Sequence, residues 1–305
     1  KMEDIISLCK RRGFIFQGSD VYGGMAGTWD FGPLGVLMKR KIMQTWWKYW
    51  VEDRDDILGV DAAIIMNPKT WVASGHAATF SDPLVECNEC HGRFRADKLA
   101  KTAEGHDLSA NVTKDELIRA GVKCPVCGKI NWGEVKQFNM MFETHVGAVS
   151  DDTSIAYLRP ETAQGIFTNY KNVVDNIYPD LPFGLAQQGK AFRNEISPRD
   201  FIFRCRELEQ MEIEYFVHES QWEQKFAELL KDVHEFLEQV MRLPASMIHE
   251  YEVPASDRAH YSKRTVDIEF DYPIGSEELM GIAYRTDFDL QNVARASGKN
   301  MEYRD

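Results

Sequence analysis

The sequence predicts an α+β fold in which an antiparallel β-sheet is flanked by helices and interrupted by a small metal-binding module. Three observations support this prediction. A polar turn at 197–200 separates two strand-like segments, as in a long hairpin. Apolar residues alternate with acids over 266–271, which is typical of a half-buried strand. Two cysteine pairs with C-x2-C spacing lie in a polar stretch over 84–136.

The first part of the chain predicts helices around an ordered loop. Residues 2–12 predict a short helix, and residues 18–35 are rich in glycine and aromatic side chains. That composition indicates an ordered loop, because flexible linkers lack tryptophan. A longer helix is predicted over 34–53, with Pro33 near its first turn. The apolar run over 60–66 predicts a buried strand.

The second half of the chain predicts strands and one long helix. The two strands of the hairpin are predicted over 190–195 and 203–216. Ser220 and Glu223 have the spacing of a capping box, which predicts a helix start. A helical insertion near 220–243 follows from the apolar residues that recur there at helical spacing. These residues are Phe226, Leu229, Leu230, Val233, Phe236, Leu237 and Val240.

The composition excludes several classes of protein. The net charge is −12, which argues against a protein that coats nucleic acid without specificity, although local basic patches could still bind RNA. No apolar run approaches the ~20 residues that span a bilayer. The acids in the first four residues are atypical of a signal peptide. We therefore expect a cytoplasmic protein with no membrane partner.

The strongest local pattern is the pair of C-x2-C knuckles. Four thiolates suit tetrahedral zinc, and a site made only of thiolates has no open position for water, which predicts a structural role. The alternative is two unrelated cysteine pairs. Cys9 and Cys205 have no partner pattern and are predicted to be isolated thiols. The predicted ligands are Cys87, Cys90, Cys124 and Cys127.

A second pattern lies around the polar turn. Arg193 and Glu195 are two apart, so on a strand they would share a face and could serve one ligand. A guanidinium suits a phosphate, and a carboxylate can accept a hydrogen bond from an exocyclic amine. Arg204 and Arg206 would lie on the neighbouring strand. The alternative is a charged hairpin face with cross-strand ion pairs.

These residues resemble motif 2, the ATP-binding hairpin of the class II aminoacyl-tRNA synthetases. Other segments resemble the glycyl-tRNA synthetase family specifically, and the match runs in order from about residue 3 to residue 304. The resemblance implies the antiparallel sheet of class II synthetases, flanked by helices, with an inserted zinc-binding module. The matching segments are 29–35, 74–76, 138–142, 159–165, 192–199 and 209–214.

The resemblance implies a role for four residues in ATP binding. Arg193 would hold the α-phosphate and the carboxylate of the amino acid, as a catalytic residue. Glu195 would bind the adenine amine, and Arg204 would hold the γ-phosphate. Leu208 stands where the family usually has a phenylalanine that stacks on adenine. Leucine keeps an apolar contact but lacks an aromatic face, so an altered nucleotide affinity is expected.

Glycine has no side chain, so a site can recognise it only by its ammonium, its carboxylate and the exclusion of larger residues. The resemblance implies that Glu161 and Glu212 contact the ammonium, and that Arg285 is a second catalytic cation near the carboxylate and phosphate. Without the family, Glu161 is an acid in the first turn of a helix, and the two interpretations can hold together. Without the family, the preferred interpretation of Glu212 is a solvent-facing strand residue. Gln164 and Ser74 would border this pocket.

The resemblance also implies a homodimer. Pro68 resembles the proline of motif 1, and the helix and strand before it would form the dimer interface. Some of an aromatic cluster on this helix must be buried in the core or against a partner. Its members are Trp46, Trp47, Tyr49 and Trp50. The implied organisation is a first part of the catalytic domain over 1–83, the zinc module over 84–136 and the rest of the catalytic domain over 137–305.

The implied activity is that of a glycine–tRNA ligase, which activates glycine with ATP and Mg²⁺ to glycyl-adenylate and transfers it to tRNA-Gly. Motif 3 and the anticodon-binding domain of the family are not found in these residues, so we expect a catalytic fragment. One alternative is a non-catalytic, synthetase-like fragment that binds RNA or regulates. Another is a class II synthetase for a different small amino acid.

Overall fold

A computed structural model describes residues 1–100, 112–149, 151, 153–259 and 261–304. Within these residues, no helix combines the length and the apolar character needed to cross a membrane. The strands are β1 (Ile15–Gln17), β2 (Trp29–Phe31), β3 (Ile57–Gly59), β4 (Ser81–Glu86), β5 (Arg93–Arg95), β6 (Lys136–Asn139), β7 (Phe142–His145), β8 (Ile155–Leu158), β9 (Phe183–Phe192), β10 (Glu207–Phe216), β11 (Ile248–Glu252), β12 (Arg264–Tyr272) and β13 (Gly275–Tyr284). The α-helices are α1 (Met2–Arg11), α2 (Pro33–Trp47), α3 (Pro68–Ala73), α4 (His76–Thr79), α5 (Ala96–Ala100), α6 (Lys114–Arg119), α7 (Ala163–Ile177), α8 (Trp222–Glu235) and α9 (Phe288–Ser297).

The antiparallel hairpin of β9 and β10 lies at the centre of the fold. The two strands pair from end to end, and β3 adds a parallel strand on the other side of β9. Side chains alternate between the two faces of a strand. The face of β9 that carries Leu185 packs on α7, whereas the face that carries Ala186 packs on α2 and α8. The hairpin is therefore covered by helices on both sides.

The hairpin begins earlier in the chain than the sequence predicts. β9 ends at Phe192 and β10 begins at Glu207, so residues 193–206 form a loop that contains the predicted turn at 197–200. The strand prediction over 190–195 was therefore misplaced. The prediction failed because of the composition of β9. This strand contains two glycines, two alanines and two glutamines, whereas β-branched residues usually mark a strand.

A second antiparallel sheet, in the order β11-β12-β13, shares a hydrophobic core with the hairpin. The strand predicted over 266–271 is confirmed as part of β12. The helix predicted near 220–243 is present as α8, which a π-helical turn over Phe236–Val240 extends, and it packs into this shared core. The buried members are Trp46, Trp50, Ile57, Ala186, Phe226, Val233, Phe236, Leu237, Ile248, Val266 and Ile268.

The start of α8 differs from the predicted capping box. His218 accepts a hydrogen bond from the backbone N–H of Ser220 at 3.2 Å and caps a 3₁₀ turn over Glu219–Gln221. Gln221, the residue before α8, makes no capping bond with its side chain. The prediction that Ser220 caps the helix was wrong because the chain already turns at Glu219. Ser220 therefore lies within a helical turn instead of ahead of one.

The first long helix is confirmed, but the strand predicted after it is not. α2 has Pro33 in its first turn and continues as a π-helical turn over Lys48–Glu52. Residues 60–66 form no strand and make one bridge, between Ile65 and Leu158. Ile65 is 50% exposed, so apolar character alone overestimated the burial of this segment. The ladder with β9 is made by β3 instead.

The cysteine-rich stretch has a small hydrophobic core of its own. β4 pairs with β5 on one side and with β6 on the other, and α5 packs on β4 and β5. Thr113 and Glu116 form a capping box at the start of α6. The buried members of this core are Val85, Cys87, Ala96, Leu99, Ala100, Val112, Leu117, Val122, Cys124 and Trp132. Residues 101–111 of the predicted module lie outside the described residues.

Candidate active site and metal centre

The segment before α7 is anchored by a buried arginine. Arg159 is 2% exposed and donates from Nε to the carbonyl of Lys190 at 2.7 Å and from Nη1 to the carbonyl of Ala62 at 2.8 Å. A Cβ atom on Gly189 would lie 2.3 Å from the guanidinium, so only glycine leaves it room. Arg159 thereby fixes the position of Glu161, two residues later.

Polar contacts dock the start of α7 on β10. Thr162 donates its backbone N–H to Gln210 Oε1 at 3.0 Å and its hydroxyl to Glu212. Leu208, Gln210, Glu212 and Glu214 are spaced two apart on β10 and therefore share one face of the strand. This face brings Leu208, predicted for ATP, and Glu212, predicted for glycine, to the same side of the hairpin.

Glu161 is held by a histidine that is itself held by a serine. His76 Nε2 lies 3.4 Å from Glu161 Oε2, and His76 Nδ1 lies 2.8 Å from Ser74 Oγ. Burial acts to raise the pKa of Glu161, but the bond to His76 and the charges of nearby arginines outweigh it. The pKa therefore lies below its ordinary value, and Glu161 is an anion at neutral pH.

His76 is a site residue that the sequence reasoning missed. Its ring packs edge-on against Trp71, with centroids 5.6 Å apart, and lies 5.4 Å from the ring of Phe80. The aromatic neighbours and Ser74 fix the orientation of the imidazole towards Glu161. The signal that could have found His76 is its place in the segment 74–76, which resembles the family but received no role for the histidine.

Two carboxylates on β10 have pKa values that are shifted in the opposite direction from that of Glu161. Burial, and then the charge of Glu161, raise the pKa of Glu212 to about 7, although the bond from Thr162 acts in the other direction. Burial raises the pKa of Glu214 well above its ordinary value. Glu212 therefore titrates near neutrality, so that a cationic group placed beside it would favour its charged form.

Arg285 lies among these acids but is already paired. It donates from Nε and Nη2 to the two oxygens of Asp289, at 2.8 and 3.0 Å. Its guanidinium carbon also lies 3.9 Å from the centre of the Tyr261 ring. Burial acts to lower the pKa of Arg285, but the charges of Glu214 and Asp289 keep it above its ordinary value. Arg285 is therefore a permanent cation at this site.

The loop over 193–206 places Arg193 near Glu161. Arg193 donates from Nε to the carbonyl of Pro160 at 3.1 Å, and its guanidinium lies 5.7 Å from the centre of the Phe80 ring. Glu195 is 7% exposed and lies 3.5 Å from the guanidinium of Arg204. Three of the four residues predicted for ATP thus lie in this loop, and the fourth, Leu208, lies at the start of β10.

The predicted reason for the pairing of Arg193 with Glu195 was wrong. Both residues follow the end of β9, so the alternation of a strand does not apply to them. The backbone N–H of Glu195 instead bonds to the carbonyl of Arg193 at 2.7 Å, in a tight turn. Arg206 closes the loop by donating to the carbonyl of Glu195 at 3.0 Å.

A groove of about 1500 Å³ connects part of the predicted site. Its walls include the edge strands β10 and β13 of the two sheets. Four predicted residues line it, namely Glu161, Arg193, Glu212 and Arg285. Leu208 is not among the lining residues, and neither are the residues of the ion pair between Glu195 and Arg204. The groove therefore contains the residues predicted for glycine and Arg193, whereas Glu195, Arg204 and Leu208 lie outside its lining.

The four predicted metal ligands converge. The sulfurs of Cys87 and Cys127, and those of Cys90 and Cys124, are each 3.6 Å apart, and all four lie within 4.8 Å of one another. Thiolates at about 2.3 Å from a zinc ion in a tetrahedron would be separated by about 3.8 Å. This cluster has the donor set and size of a zinc site. Cys9 lies outside this cluster and is a free thiol.

The chain matches known synthetases over most of its length. The model of the tRNA synthetase class II core domain (G, H, P, S and T) matches residues 143–302, more than half of the chain. A glycine–tRNA ligase of Streptomyces coelicolor is 47% identical over 312 residues, which cover 100% of this chain and 66% of that protein. One from Ureaplasma urealyticum is 44% identical over 308 residues, which cover 99% of this chain and 65% of that protein.

Solved structures support the fold alone. A crystal structure of the prolyl-tRNA synthetase of Cryptosporidium parvum, complexed with halofuginone and AMPPNP, matches with a TM-score of 0.58 and 12% identity. The match covers 95% of this chain and 44% of that chain. The chain thus spans about two thirds of the length of the curated relatives that it matches. It belongs to the class II tRNA synthetase family, within the group of the glycine–tRNA ligases.

Proposed function

We propose that the full-length protein activates glycine with ATP and transfers it to tRNA-Gly. The observation that carries the proposal is that Glu161, just before α7, and Glu212, on β10, lie in one groove with Arg193 and Arg285. The similarity of the chain to glycine–tRNA ligases supports the same activity. A role in charging tRNA also places the protein in the cytoplasm, as a partner of ATP, glycine and tRNA-Gly.

The carboxylates suit a substrate that presents only an ammonium and a carboxylate. Glu161 is anionic at neutral pH, and Glu212 becomes anionic when a cation lies beside it. Two charge-assisted hydrogen bonds would hold the ammonium. Arg193 or Arg285 would then bind the glycine carboxylate. The packed face of β10 and α7 would exclude larger side chains.

The loop over 193–206 would bind ATP. Arg193 would hold the α-phosphate, Glu195 the adenine amine and Arg204 the γ-phosphate, with Leu208 in apolar contact with the base. The ion pair between Glu195 and Arg204 would open when the nucleotide enters, because Glu195 would then bond to the adenine amine and Arg204 to the γ-phosphate of a bent ATP. Mg²⁺ would enter with ATP and neutralise phosphate charge.

Neither step requires a nucleophilic side chain. A carboxylate oxygen of glycine attacks the α-phosphorus, the bond to the bridging oxygen breaks, and pyrophosphate leaves. A ribose hydroxyl of the tRNA then attacks the carbonyl carbon and loses its proton, and AMP leaves. The residues of the site would accelerate the first step by holding the reactants in line and by stabilising the negative charge on the phosphate oxygens.

Exchange of radioactive pyrophosphate into ATP by the full-length protein, measured with each of the twenty amino acids, tests this function. We expect exchange to depend on glycine and to be lower by at least tenfold with alanine and serine. Exchange that depends on another small amino acid would replace the proposed substrate. An absence of exchange with every amino acid would favour the alternative, a non-catalytic RNA-binding or regulatory protein.

The raised pKa of Glu212 predicts a pH dependence. With a pKa of about 7, Glu212 loses its charge as the pH falls, and its attraction for the ammonium is lost with it. We expect kcat/KM for glycine to fall about tenfold between pH 8 and pH 6. The Glu212→Gln variant should lack this inflection. An inflection that persists unchanged in this variant would assign the titration to another group.

The same shift predicts an opposite effect on stability. The pKa of Glu212 is higher in the folded chain than its ordinary value, so the fold disfavours the charged form. The contribution of Glu212 to the free energy of unfolding is fully present at pH 4, where its carboxyl is neutral in the folded chain. This contribution is lost as the pH rises through 7 and the buried carboxyl becomes charged. The Glu212→Gln variant should therefore unfold at a higher temperature than the parent at pH 8, and at the same temperature at pH 4.

We propose a homodimer through the first half of α2, as the resemblance to motif 1 implies. The aromatic cluster does not support it, because Trp46 and Trp50 are 3% and 2% exposed within the core. Leu37 and Met38 support it, because they are 65% and 54% exposed near the start of α2. Such apolar exposure is typical of a surface that binds a partner.

Solution mass tests the dimer. The full-length protein at micromolar concentration should have the mass of two chains, and Leu37→Glu should shift it to one chain because it buries a charge at the interface. Val72→Glu is the control, since Val72 is 68% exposed on α3, outside this surface. A parent protein with the mass of one chain would contradict the proposal.

We also propose that the four thiolates hold one structural zinc ion and that residues 84–136 form a module inserted in the catalytic domain. The distances between the sulfurs support this, as does the small hydrophobic core around Cys87 and Cys124. With no open position for water, the ion would stabilise the module and take no part in the reaction.

A further inference from the structure

Asp289 is a buried acid to which the proposed reaction assigns no role. It lies in the first turn of α9 and is 4% exposed. Both of its oxygens accept hydrogen bonds from Arg285, at 2.8 and 3.0 Å. Buried charges are costly unless they are paired in good geometry, and this pair has a two-bond geometry. Asp289 therefore fixes the guanidinium in one orientation.

Asp289 also connects Arg285 to the helix that carries the proposed glycine site. Its Oδ1 accepts a hydrogen bond at 3.0 Å from Nε2 of Gln164, which is 2% exposed in the first turn of α7. The same nitrogen lies 3.4 Å from Glu161 Oε1. A continuous set of contacts thus runs from Arg285 through Asp289 and Gln164 to Glu161.

The surroundings of Arg285 explain why such a contact matters. Its charge acts on Glu161, Glu212 and Glu214 as well as on Asp289. A guanidinium without a fixed partner would pair with the two acids proposed for the ammonium and would occupy the place of the substrate. Tyr261 restrains one face of the guanidinium and shares a side-chain hydrogen bond with it, but a neutral hydroxyl holds a guanidinium less strongly than a two-oxygen carboxylate does.

We propose that Asp289 is a positioning residue, which holds Arg285 for the carboxylate of the amino acid and away from Glu161 and Glu212. The inference rests on the proposed glycine site. Asp289 touches no proposed substrate, and its effect on glycine is expected to come mainly through Arg285. Its loss should therefore weaken the use of glycine and leave the binding of ATP unchanged.

Glycine-dependent pyrophosphate exchange by the full-length Asp289→Asn protein tests the proposal. We expect the KM for glycine to rise about tenfold, because asparagine loses the charge that holds the guanidinium, while the KM for ATP stays within about twofold. The control is Asp287→Asn, which alters an exposed acid that bonds to Gln291 at the start of the same helix. This control should match the parent.

A double-mutant cycle separates positioning from a merely structural role. If Asp289 acts through Arg285, the Arg285→Ala variant and the double variant with Asp289→Asn should have equal KM values for glycine. Additive effects, or equal changes in the KM for glycine and for ATP, would overturn the proposal. If Asp289→Asn does not fold, Asp289→Glu keeps the charge but shifts the carboxylate, and an unchanged KM for glycine would overturn it.

The activity of the parent protein distinguishes a failure of the Asp289 proposal from a failure of the proposed function. A parent that shows glycine-dependent exchange, together with an Asp289→Asn protein that matches it, would overturn only the role of Asp289. A parent that shows no such exchange would overturn the proposed function and, with it, the positioning role that rests on it.

Discussion

Replacing Arg193 with alanine is expected to lower kcat for glycine activation by about 10²- to 10³-fold in the full-length protein. Arg193 lines the groove beside Glu161 and is held there by the carbonyl of Pro160. Its proposed contact is with the α-phosphate, where negative charge develops during the reaction, and the loss of one such donor typically has this effect. Because the contact strengthens in the transition state, kcat should fall together with kcat/KM.

Steady-state pyrophosphate exchange measures this effect. A conservative variant and a control variant are compared with Arg193→Ala. Arg193→Lys keeps the charge but not the paired donors, so we expect an intermediate loss. Arg199→Ala is the control in the same loop, since Arg199 is 55% exposed in its side chain and forms an ion pair with the neighbouring Asp200. A kcat of Arg193→Ala within threefold of the parent would remove Arg193 from the reaction.

Replacing Cys124 with serine is expected to abolish zinc binding and to unfold the module around it. Cys124 is 2% exposed and contributes to the core of the module as well as to the thiolate cluster. Structural zinc in comparable sites contributes about 10–16 kcal/mol, which is similar to or larger than the whole stability of a typical domain, about 5–15 kcal/mol. The loss of one thiolate should therefore exceed what the remaining contacts can offset.

Elemental analysis and hydrogen exchange measure this outcome. The parent, purified without a chelator, should contain one zinc ion per chain, and Cys124→Ser should contain none. Backbone amides of β4 and β5 should lose protection in the variant. Cys9→Ser and Cys205→Ser are the matched controls, because both are free thiols away from the cluster. A parent without zinc, or a variant that keeps it, would contradict a structural zinc site.

The sequence predicts elements well where one side of the element is buried and apolar. α8 and β12 were found from periodicity because each presents one apolar face to the shared core. β9 was misplaced because it is covered on both faces by helices, and small residues rather than β-branched ones fit between them. The run over 60–66 was assigned to a strand because apolar character does not reveal whether a pairing partner is present.

The residues of the candidate site can likewise be predicted from the sequence only in part. The cysteine ligands could be found from spacing alone, because each C-x2-C pair fixes its own local geometry. Glu161 and Glu212 came from resemblance, since the contact of α7 with β10 joins positions 50 residues apart. Arg285 was predicted as an available cation, but it is paired with Asp289, four residues later. That spacing favours an ion pair when both residues lie on one helix, and Arg285 lies before the start of α9. His76 was missed because the segment 74–76 was recognised by resemblance without a role for its histidine.

The most direct test of the account is the use of glycine by variants of the two proposed ammonium ligands. In the full-length protein, Glu161→Gln and Glu212→Gln should each lower kcat/KM for glycine by about tenfold to a hundredfold, since each removes a charge-assisted bond of about 1.5–3 kcal/mol. The KM for ATP should stay within about twofold. Glu207→Gln, at an exposed position on β10, is the control. If both variants activate glycine as well as the parent does at pH 8, the ammonium is bound elsewhere and the proposed glycine site is wrong.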